Sequence, residues 1–555
     1  MKLRSTLLLA LVFAFGACLG QGTQPWYHST TIYQIYPRSY YDSNGDGIGD
    51  LPGIIQKLDY IQSLGYETVW FSPFYASPQR DFGYDISDYL AIAPEYGTLA
   101  DAQQLIAETH KRGMKIVFDM VMNHTSDEHP WFKESKSSRT NPKADWYIWT
   151  DKPNRWHSVI GGGGWHYCKE RNQYYWASFL PFQPDLNYRN PEVKKAMFDA
   201  CRHWLAQGVD GFRLDMINSI YKDSLLRNNA ASRRAVRHAP GSGKFIHTVK
   251  GYLNQPETFL FAKELRAVCD SFGDRMLLGE VYGTHPVVRE FLGGDKNDGL
   301  GLVFNFEMLR FKYKASYFRK LTASLERDFP DPFTPVYVFS NHDRRRSMKR
   351  LDGDMARAKL LQFYQLTTRG VSCMYYGEEI GMSDLAIPYK NALDPIGQKY
   401  KKVPRWLTEL ADETLNRDDL RTPMQWTSRG NAGFSTAAKT WLPVHPNHDT
   451  INVATESVDS SSILNEARTL LHLHKNNGAL HYGKLSILPG QPRGVLAYSR
   501  QIGDEEVIVL LNFSRKTKKV AIPDKYHSVY SLYAGDKPEG VSVNLREFGA
   551  AILSK

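Results

Sequence analysis

Short apolar runs rich in β-branched and aromatic residues alternate with stretches of helical period along most of the chain. Residues 31–36 are followed by a helical pattern over 52–64, residues 68–71 by one over 99–112, and residues 115–121 open the next round. Repetition of a strand pattern with a helix pattern predicts parallel βα units. The further runs 211–215, 276–281, 302–306, 336–339 and 371–376 bring the total to eight, the number that closes an α/β (β/α)8 barrel. The period breaks twice. Residues 123–190, rich in Trp, Tyr, Gly and Pro and containing four consecutive glycines at 161–164, read as a subdomain inserted after the third strand, and residues 383–427 as a second insertion after the eighth. Beyond about residue 483 short alternating strands such as 507–513 and 541–544 take over, which predicts a C-terminal antiparallel β-sandwich. The expected division is a leader over 1–20, the barrel over 21–124 and 191–478, an inserted subdomain over 125–190, and the sandwich over 479–555.

Residues 1–20 carry Lys2 and Arg4, then an apolar stretch over 7–19, then small residues up to Gly20. This is the layout of a secretory signal, and the apolar run is too short for a membrane span, so the expected location is extracellular or periplasmic. Cys18 leaves with the leader or, in the alternative, carries a lipid. The remaining Cys168, Cys201, Cys269 and Cys373 have no C-x-x-C spacing, which argues against a zinc cluster and leaves room for at most two disulfides.

With 555 residues, 42% of them hydrophobic and 23% charged, the chain is no collagen, disordered tail or disulfide-dense scaffold. The formal charge of +10 is diffuse, and the basic runs at 344–346 and 515–519 are not interleaved with aromatic residues, which argues against a nucleic-acid partner. Twelve Trp and 32 Tyr supply rings that suit sugar stacking as readily as core filling.

In a βα barrel the chemistry sits at the C-terminal ends of the strands. Asp215, Glu280 and Asp343 each end a predicted strand, and strand alternation puts Arg213 on the same side as Asp215. Separately, residues 42–50 set oxygen atoms at alternate positions, Asp42, Asn44, Asp46, the Ile48 carbonyl and Asp50, with Gly47 at the sharp turn. This copies the start of an EF-hand loop, except that Gly53 stands where the bidentate Glu would be, so water would complete the shell. A metal-free Asx-rich turn is the alternative reading.

Taken together, the motifs DMVMNH at 119–124, GFRLD at 211–215, GEV at 279–281 and NHD at 341–343 resemble glycoside hydrolase family 13, the α-amylase family. Within it, QPDLN at 183–187 and RTPMQW at 421–426 are similar to the fifth signature and late loop of the oligo-1,6-glucosidase and α-glucosidase group. The resemblance covers residues 26–555. It implies Asp215 as nucleophile, Glu280 as general acid/base and Asp343 as the carboxylate that grips sugar hydroxyls. It also implies His124 and His342 as donors to the ring being cleaved, Tyr84 as the platform beneath it, and Asp81 with Arg417 as the pair closing the pocket at the non-reducing end. A structural Ca²⁺ on the 42–50 loop belongs to the same expectation. Retention needs one carboxyl to attack and one to protonate; Arg213 is expected to keep Asp215 ionised, and the less charged surroundings of Glu280 to let it hold its proton.

The expected activity is that of a secreted, retaining exo-α-glucosidase acting on a small oligosaccharide or disaccharide of maltose, isomaltose or sucrose type. Two rivals stand beside it. A glucosyltransferase or sucrose isomerase would pass the sugar on; the Arg-Leu-Asp-Arg stretch associated with the isomerases is missing, although residues 344–346 put charge near the entrance. A non-catalytic relative resembling a transporter heavy chain is opposed by the three retained acids and the lack of a membrane span. In the family a Val after the nucleophile resembles α-1,6 preference, and Ala or Thr α-1,4 preference; Met216 is neither. Linkage, oligomeric state and cysteine pairing stay open.

Overall fold

Eight parallel strands close on themselves in chain order: β1 Thr31–Ile35, β2 Thr68–Phe71, β3 Lys115–Val121, β4 Gly211–Asp215, β5 Met276–Gly279, β6 Leu302–Asn305, β7 Val336–Val338 and β8 Val371–Tyr375. Closure comes from β1, which pairs with β2 on one side and β8 on the other. The computed structural model describes residues 24–236, 245–247, 249–409, 414–524 and 526–555; the expected leader over 1–20, with Cys18, lies outside the described residues.

Period-two alternation sorts each strand into an inner and an outer face. Ile32, Trp70, Val117, Leu278, Leu302, Val336, Val371 and Cys373 from seven strands pack on one another in the barrel interior. Tyr33, Val69, Phe118, Phe212 and Leu277 join the larger core with the surrounding helices. Both faces are therefore apolar, which is why the strands read as unbroken hydrophobic runs. The same parity carries Asp119, Arg213 and Asp215 inward.

The helix expected over 52–64 is two helices, Leu51–Gln56 and Leu58–Leu64, separated at Lys57. Asp50 caps the first by accepting from Gly53 N at 2.6 Å. Leu99–Lys111 is opened by a reciprocal Thr98–Asp101 capping box, so polar side chains satisfy its first amides.

Between β3 and β4 a three-stranded antiparallel sheet forms from Trp149–Thr150, Gln173–Trp176 and Trp165–Cys168, with Gln173–Trp176 in the middle. Gly164 is required there, because a Cβ would lie 2.3 Å from the Trp176 ring.

The C-terminal unit has two antiparallel sheets. Strands β9 Lys484–Ile487, β10 Val495–Ile502, β11 Glu505–Asn512, β16 Ala550–Ser554 and β13 His527–Ser531 form one; β12 Lys518–Ala521, β15 Ser542–Leu545 and β14 Pro538–Glu539 form the other. Val495, Ala497, Ile508 and Leu510 pack against the small sheet. Their neighbours Leu496, Tyr498, Val509 and Leu511 join the barrel's core, and Phe513 stacks on Phe318 at 4.7 Å. Cys168, Cys201, Cys269 and Cys373 are buried and form no disulfide. Among the described residues no helix is long and apolar enough to cross a membrane.

Candidate active site

Arg213 organises one side of the barrel mouth. Its Nη1 donates to Asp119 Oδ1 at 2.8 Å and to Asp215 Oδ1 at 2.9 Å, and its Nη2 donates to Glu280. The guanidinium is fully buried, so this one cation is divided among three carboxyl groups. Glu280 continues the β5 ladder, its N donating to Leu214 O at 2.9 Å. Tyr282 donates its hydroxyl to Glu280 Oε1 at 2.8 Å and stacks on Phe306 at 4.9 Å. Burial, then the neighbouring Glu280, Asp119 and Asp343, push Asp215 well above the usual carboxylate range against the pull of Arg213. The expectation of less charged surroundings for Glu280 is corrected here, since it accepts from Arg213, and that guanidinium is not reserved for Asp215 but shared among three carboxyl groups.

The other side is built from loops. Tyr84 and Asp81 flank a turn in which Phe82 and Gly83 both take left-handed φ, 49° and 100°, the geometry of a tight primed turn. Tyr84 N donates to Asp81 O at 3.2 Å, and a Cβ on Gly83 would sit 2.6 Å from Pro73 O. Asp85 anchors the turn by accepting from Asp81 N at 2.9 Å; burial raises its carboxyl to about 7. Arg417 opens the short helix Arg417–Leu420 and reaches Asp81 Oδ1 at 2.5 Å, Asp394 Oδ1 at 2.7 Å and Asp343 Oδ1 at 3.3 Å. Arg421 donates to Asp343 Oδ1 at 3.0 Å and to His342 O at 2.8 Å. Although burial opposes it, His342, Arg417 and Arg421 hold Asp343 well below the usual carboxylate range.

His342 is wholly buried. Its Nδ1 meets Gln34 Nε2 at 2.7 Å, its Nε2 meets the Tyr84 hydroxyl at 2.6 Å, and the two rings stack 5.2 Å apart. Tyr84 also donates to Asp119 Oδ2 at 3.0 Å. His124 Nε2 lies 3.1 Å from Tyr84 O, and its Nδ1 faces Asn123 at 3.2 Å. Burial lowers His124 below the ordinary histidine value, which keeps the ring neutral. Behind it Lys222 Nζ bonds Asn123 Oδ1 and Asp185 Oδ2, each at 2.6 Å.

These groups surround a cavity of about 110 Å³. Asp81, Tyr84, His124, Asp215, Glu280, Asp343 and Arg417 line it; Arg213 and His342 stand behind the wall. The structure thus brings all nine expected catalytic and sugar-binding residues into one constellation. Several wall and support residues had no assigned role in the sequence reading: Asp119, Gln183, Phe179, Tyr282, Asp394 and Arg421. Asp119 lies inside the DMVMNH motif and Gln183 inside QPDLN; strand parity puts Asp119 on the inner face, and the pairing of β3 with β4 sets it beside Arg213.

The 42–50 loop lies elsewhere, before the first barrel helix. Asp42 Oδ1 accepts from Asn44 N and Gly45 N, Asn44 Oδ1 from Asp46 N, and Asp46 Oδ1 from Ile48 N, a chain of Asx turns. Asp50 faces Ser43 and the helix start. Among the described residues no three acidic, histidine or cysteine side chains converge as a ready-made metal cluster.

Residues 34–483 match the family model described as the α-amylase catalytic domain. A probable α-glucosidase of Rhizobium meliloti is 40% identical over 521 residues, 90% of this chain and 91% of its own length. The oligo-1,6-glucosidase of Parageobacillus thermoglucosidasius is 36% identical over 539 residues, 91% of this chain and 93% of its own. Among solved structures, the α-glucosyl transfer enzyme XgtA superposes with a TM-score of 0.87 at 36% identity, over 96% of this chain and 100% of its own.

Proposed function

The chain belongs to the α-amylase family and is a glycoside hydrolase of the α-glucosidase type, and on that premise we propose that it is a secreted, retaining exo-α-glucosidase acting on short α-glucosides of maltose, isomaltose or sucrose type. The observation that carries this reading is a single buried guanidinium, Arg213, joining Asp215 to Glu280 in a pocket bounded by the Asp81–Arg417 ion pair.

In the reactive state the proton of the Asp215–Glu280 pair sits on Glu280: Asp215, ionised against Arg213, attacks the anomeric carbon while Glu280 gives that proton to the leaving oxygen, forming a covalent glycosyl-enzyme. Glu280 then takes a proton from water, which displaces Asp215 and regenerates the α-anomer. Asp343, kept ionised by its arginines, accepts hydrogen bonds from sugar hydroxyls, and Asp81 with Arg417 leaves no path for a chain beyond the terminal glucose. Maltose, isomaltose, sucrose, trehalose and starch offered separately, with released glucose resolved by anomer in NMR, test the reading. We expect α-glucose from the short substrates and little from starch. Release of β-glucose overturns retention, and starch as the fastest substrate overturns the closed pocket.

Glucosyl transfer to a second sugar is a further reading, supported by the likeness to XgtA and by Arg344 in the pocket wall. Oligosaccharides outnumbering glucose at high substrate would favour it.

Secretion rests on the leader pattern over 1–20, and a mature N-terminus following Gly20 is its test. Structural Ca²⁺ is kept as a proposal for the oxygen atoms of Asp42, Asn44, Asp46, Ile48 and Asp50, supported by their alternate spacing along the loop; binding would require the Asp42 and Asp50 carboxylates to turn from the amides and hydroxyls they now accept from. A ligand bound only to the native state stabilises it, so prolonged chelation should lower the melting temperature and leave kcat of the folded fraction unchanged. An unaltered melting temperature with no metal in elemental analysis removes the ion.

A further inference from the structure

Lys222 lies in the loop after β4 and is a buried cation, 4% exposed. Its Nζ donates to Asn123 Oδ1 and to Asp185 Oδ2, each at 2.6 Å, and to Ser219 O at 2.5 Å. An ammonium has three donors and no acceptor, so all its hydrogens are used and each partner must present an oxygen. That fixes the Asn123 amide. Oδ1 faces Lys222, which turns Nδ2 to His124 Nδ1 at 3.2 Å. An amide NH₂ group only donates, so Nδ1 must offer its lone pair and the ring proton must sit on Nε2.

The opposite end of the ring asks for the same tautomer. His124 Nε2 lies 3.1 Å from the Tyr84 carbonyl, which only accepts. A doubly protonated ring would set an N–H against the Asn123 amide hydrogens, and burial opposes it as well. The arrangement cannot slide: Asn123 and Asp185 are wholly buried, His124 bridges Asp185 along the backbone, and Leu186 N donates to Asn123 O at 3.0 Å. Asp185 is itself held by Ser178 N, which donates to Oδ1 at 2.8 Å.

The tautomer matters because sugar hydroxyls both donate and accept. Asp81 and Asp343 in the cavity wall offer them acceptors, and His124, which lines the same wall, adds a donor only while its proton is on Nε2. We propose that Lys222 is a positioning residue: through Asn123 it holds His124 in the tautomer that donates from Nε2 to a hydroxyl of the bound sugar. The use made of that N–H rests on the proposed glucosidase activity; the place of the proton does not.

NMR of the full-length protein carrying ring-¹⁵N histidine tests this, because protonated and bare ring nitrogens resonate far apart, and His124→Gln identifies the signal. At pH 7 the wild-type proton is expected on Nε2 alone. Asn123→Asp keeps an oxygen for Lys222 but turns a carboxylate oxygen to Nδ1. The proton should then move to Nδ1 or be held on both nitrogens, and kcat/KM for maltose should fall about tenfold, the order of one hydrogen bond. Lys222→Met frees the amide to turn, so a mixture of tautomers should appear with a similar fall. Because that variant leaves Asp185 buried without its partner, Lys222→Met combined with Asp185→Asn replaces it if it does not fold; if neither folds, Asn123→Asp decides. A merely structural Lys222 would lower the melting temperature and leave the proton on Nε2. A wild-type proton on Nδ1, or folded variants that keep it on Nε2 alone, overturns the proposal. The expected proton positions in a protein that releases no glucose would sustain the role of Lys222 while sinking the glucosidase activity.

Discussion

On one side of the pocket Arg213 alone faces Asp119, Asp215 and Glu280; on the other Arg417 and Arg421 share Asp343, and Arg417 also holds Asp81 and Asp394. Asp215 ends a barrel strand and is buried, Asp343 follows one and is half-buried, and the first is pushed up while the second is held down. A place at the barrel mouth therefore does not by itself give an acid a raised or a lowered value. Exposure and the local count of cations act together. The Arg213 side sets one cation against three acids and the Arg417 side two cations against three, which suits the first to the proposed proton transfer and the second to the proposed recognition of sugar hydroxyls by a fixed anion. An acid-base reaction needs the first, and a sugar clamp needs the second.

The largest expected effect breaks the Arg213 side. Asp215→Asn and Glu280→Gln should each lower kcat by about 10³-fold or more, because attack and proton transfer act as one unit. Far-UV circular dichroism should not change. Turnover near wild type in either purified variant would remove this side from the chemistry.

Stability gives the next effect, with opposite signs on the two sides. Asp343 has a depressed folded-state pKa, so it contributes stability above its unfolded value, and that contribution is lost as pH falls through the folded value. Asp215 has a raised one, so its contribution is complete below the unfolded value and is lost as pH rises. At pH 7, Asp343→Asn should therefore lower the melting temperature and Asp215→Asn should raise it. Both differences should shrink in acid. Thermal scans at pH 7 and pH 4 check this; shifts of equal sign would mean that the charge count does not govern the pocket.

How far the sequence reveals these two sides follows from how each is built. All eight barrel strands were legible because both of their faces are apolar, and Asp215 and Glu280 came with them as strand-end acids. The partner Asp119 was visible as a motif letter, but its role needed the closed barrel that sets β3 beside β4. The Arg417 side depends on Asp81, Asp394 and Arg421, contributed by loops more than 300 residues apart at the extremes; no period links them, and only the family resemblance named Asp81 and Arg417. Asp394 has a local signal, as the cap of the short helix Pro395–Gln398, but that signal says nothing about Arg417. The break at Lys57 was hidden because the apolar period runs on across it. Its ammonium sits 4.0 Å from the Tyr41 ring and 4.4 Å from that of Trp426, a tertiary contact with a residue far along the chain.

A gentler probe of the Arg213 side is Tyr282→Phe. Burial, then Glu280, raises the Tyr282 phenol well above its ordinary value, so it remains a donor across the working range. A donor to a carboxylate favours the charged form. Without it, the alkaline limb of the kcat/KM profile should move to higher pH and the maximum should fall about three- to tenfold, the order of one net hydrogen bond. The ring still stacks on Phe306, so a purely structural role would lower activity without moving the limb. A limb that stays in place assigns Tyr282 to the wall alone.

The smallest effect concerns Met216, which follows Asp215 and lines the pocket beside Val159, Phe179 and Tyr282. Its backbone is left-handed, φ 38° and ψ 44°, and its side chain packs with Trp156, Trp176 and Tyr252. Met is unbranched at Cβ and flexible, so it can swing aside for different acceptor sugars. Val cannot, and a left-handed backbone makes a β-branched residue strained by about 1–2 kcal/mol. Met216→Val should therefore show two effects together: a melting temperature lowered by that strain, and an isomaltose-to-maltose ratio of kcat/KM raised a few-fold. The ratio should move only in part, since a methylene-scale change in a pocket is worth about 1–3 kcal/mol. Met216→Leu, unbranched at Cβ, should show neither effect at full size. The ratio is also the sharpest test of the division between the sides. Arg417→Lys weakens the grip on the glucose that both substrates share, so it should depress both values of kcat/KM and leave their ratio flat. A ratio that shifts equally in Met216→Val and Arg417→Lys would show that the acceptor is read by the whole wall, and the two sides would then differ in protonation without differing in task.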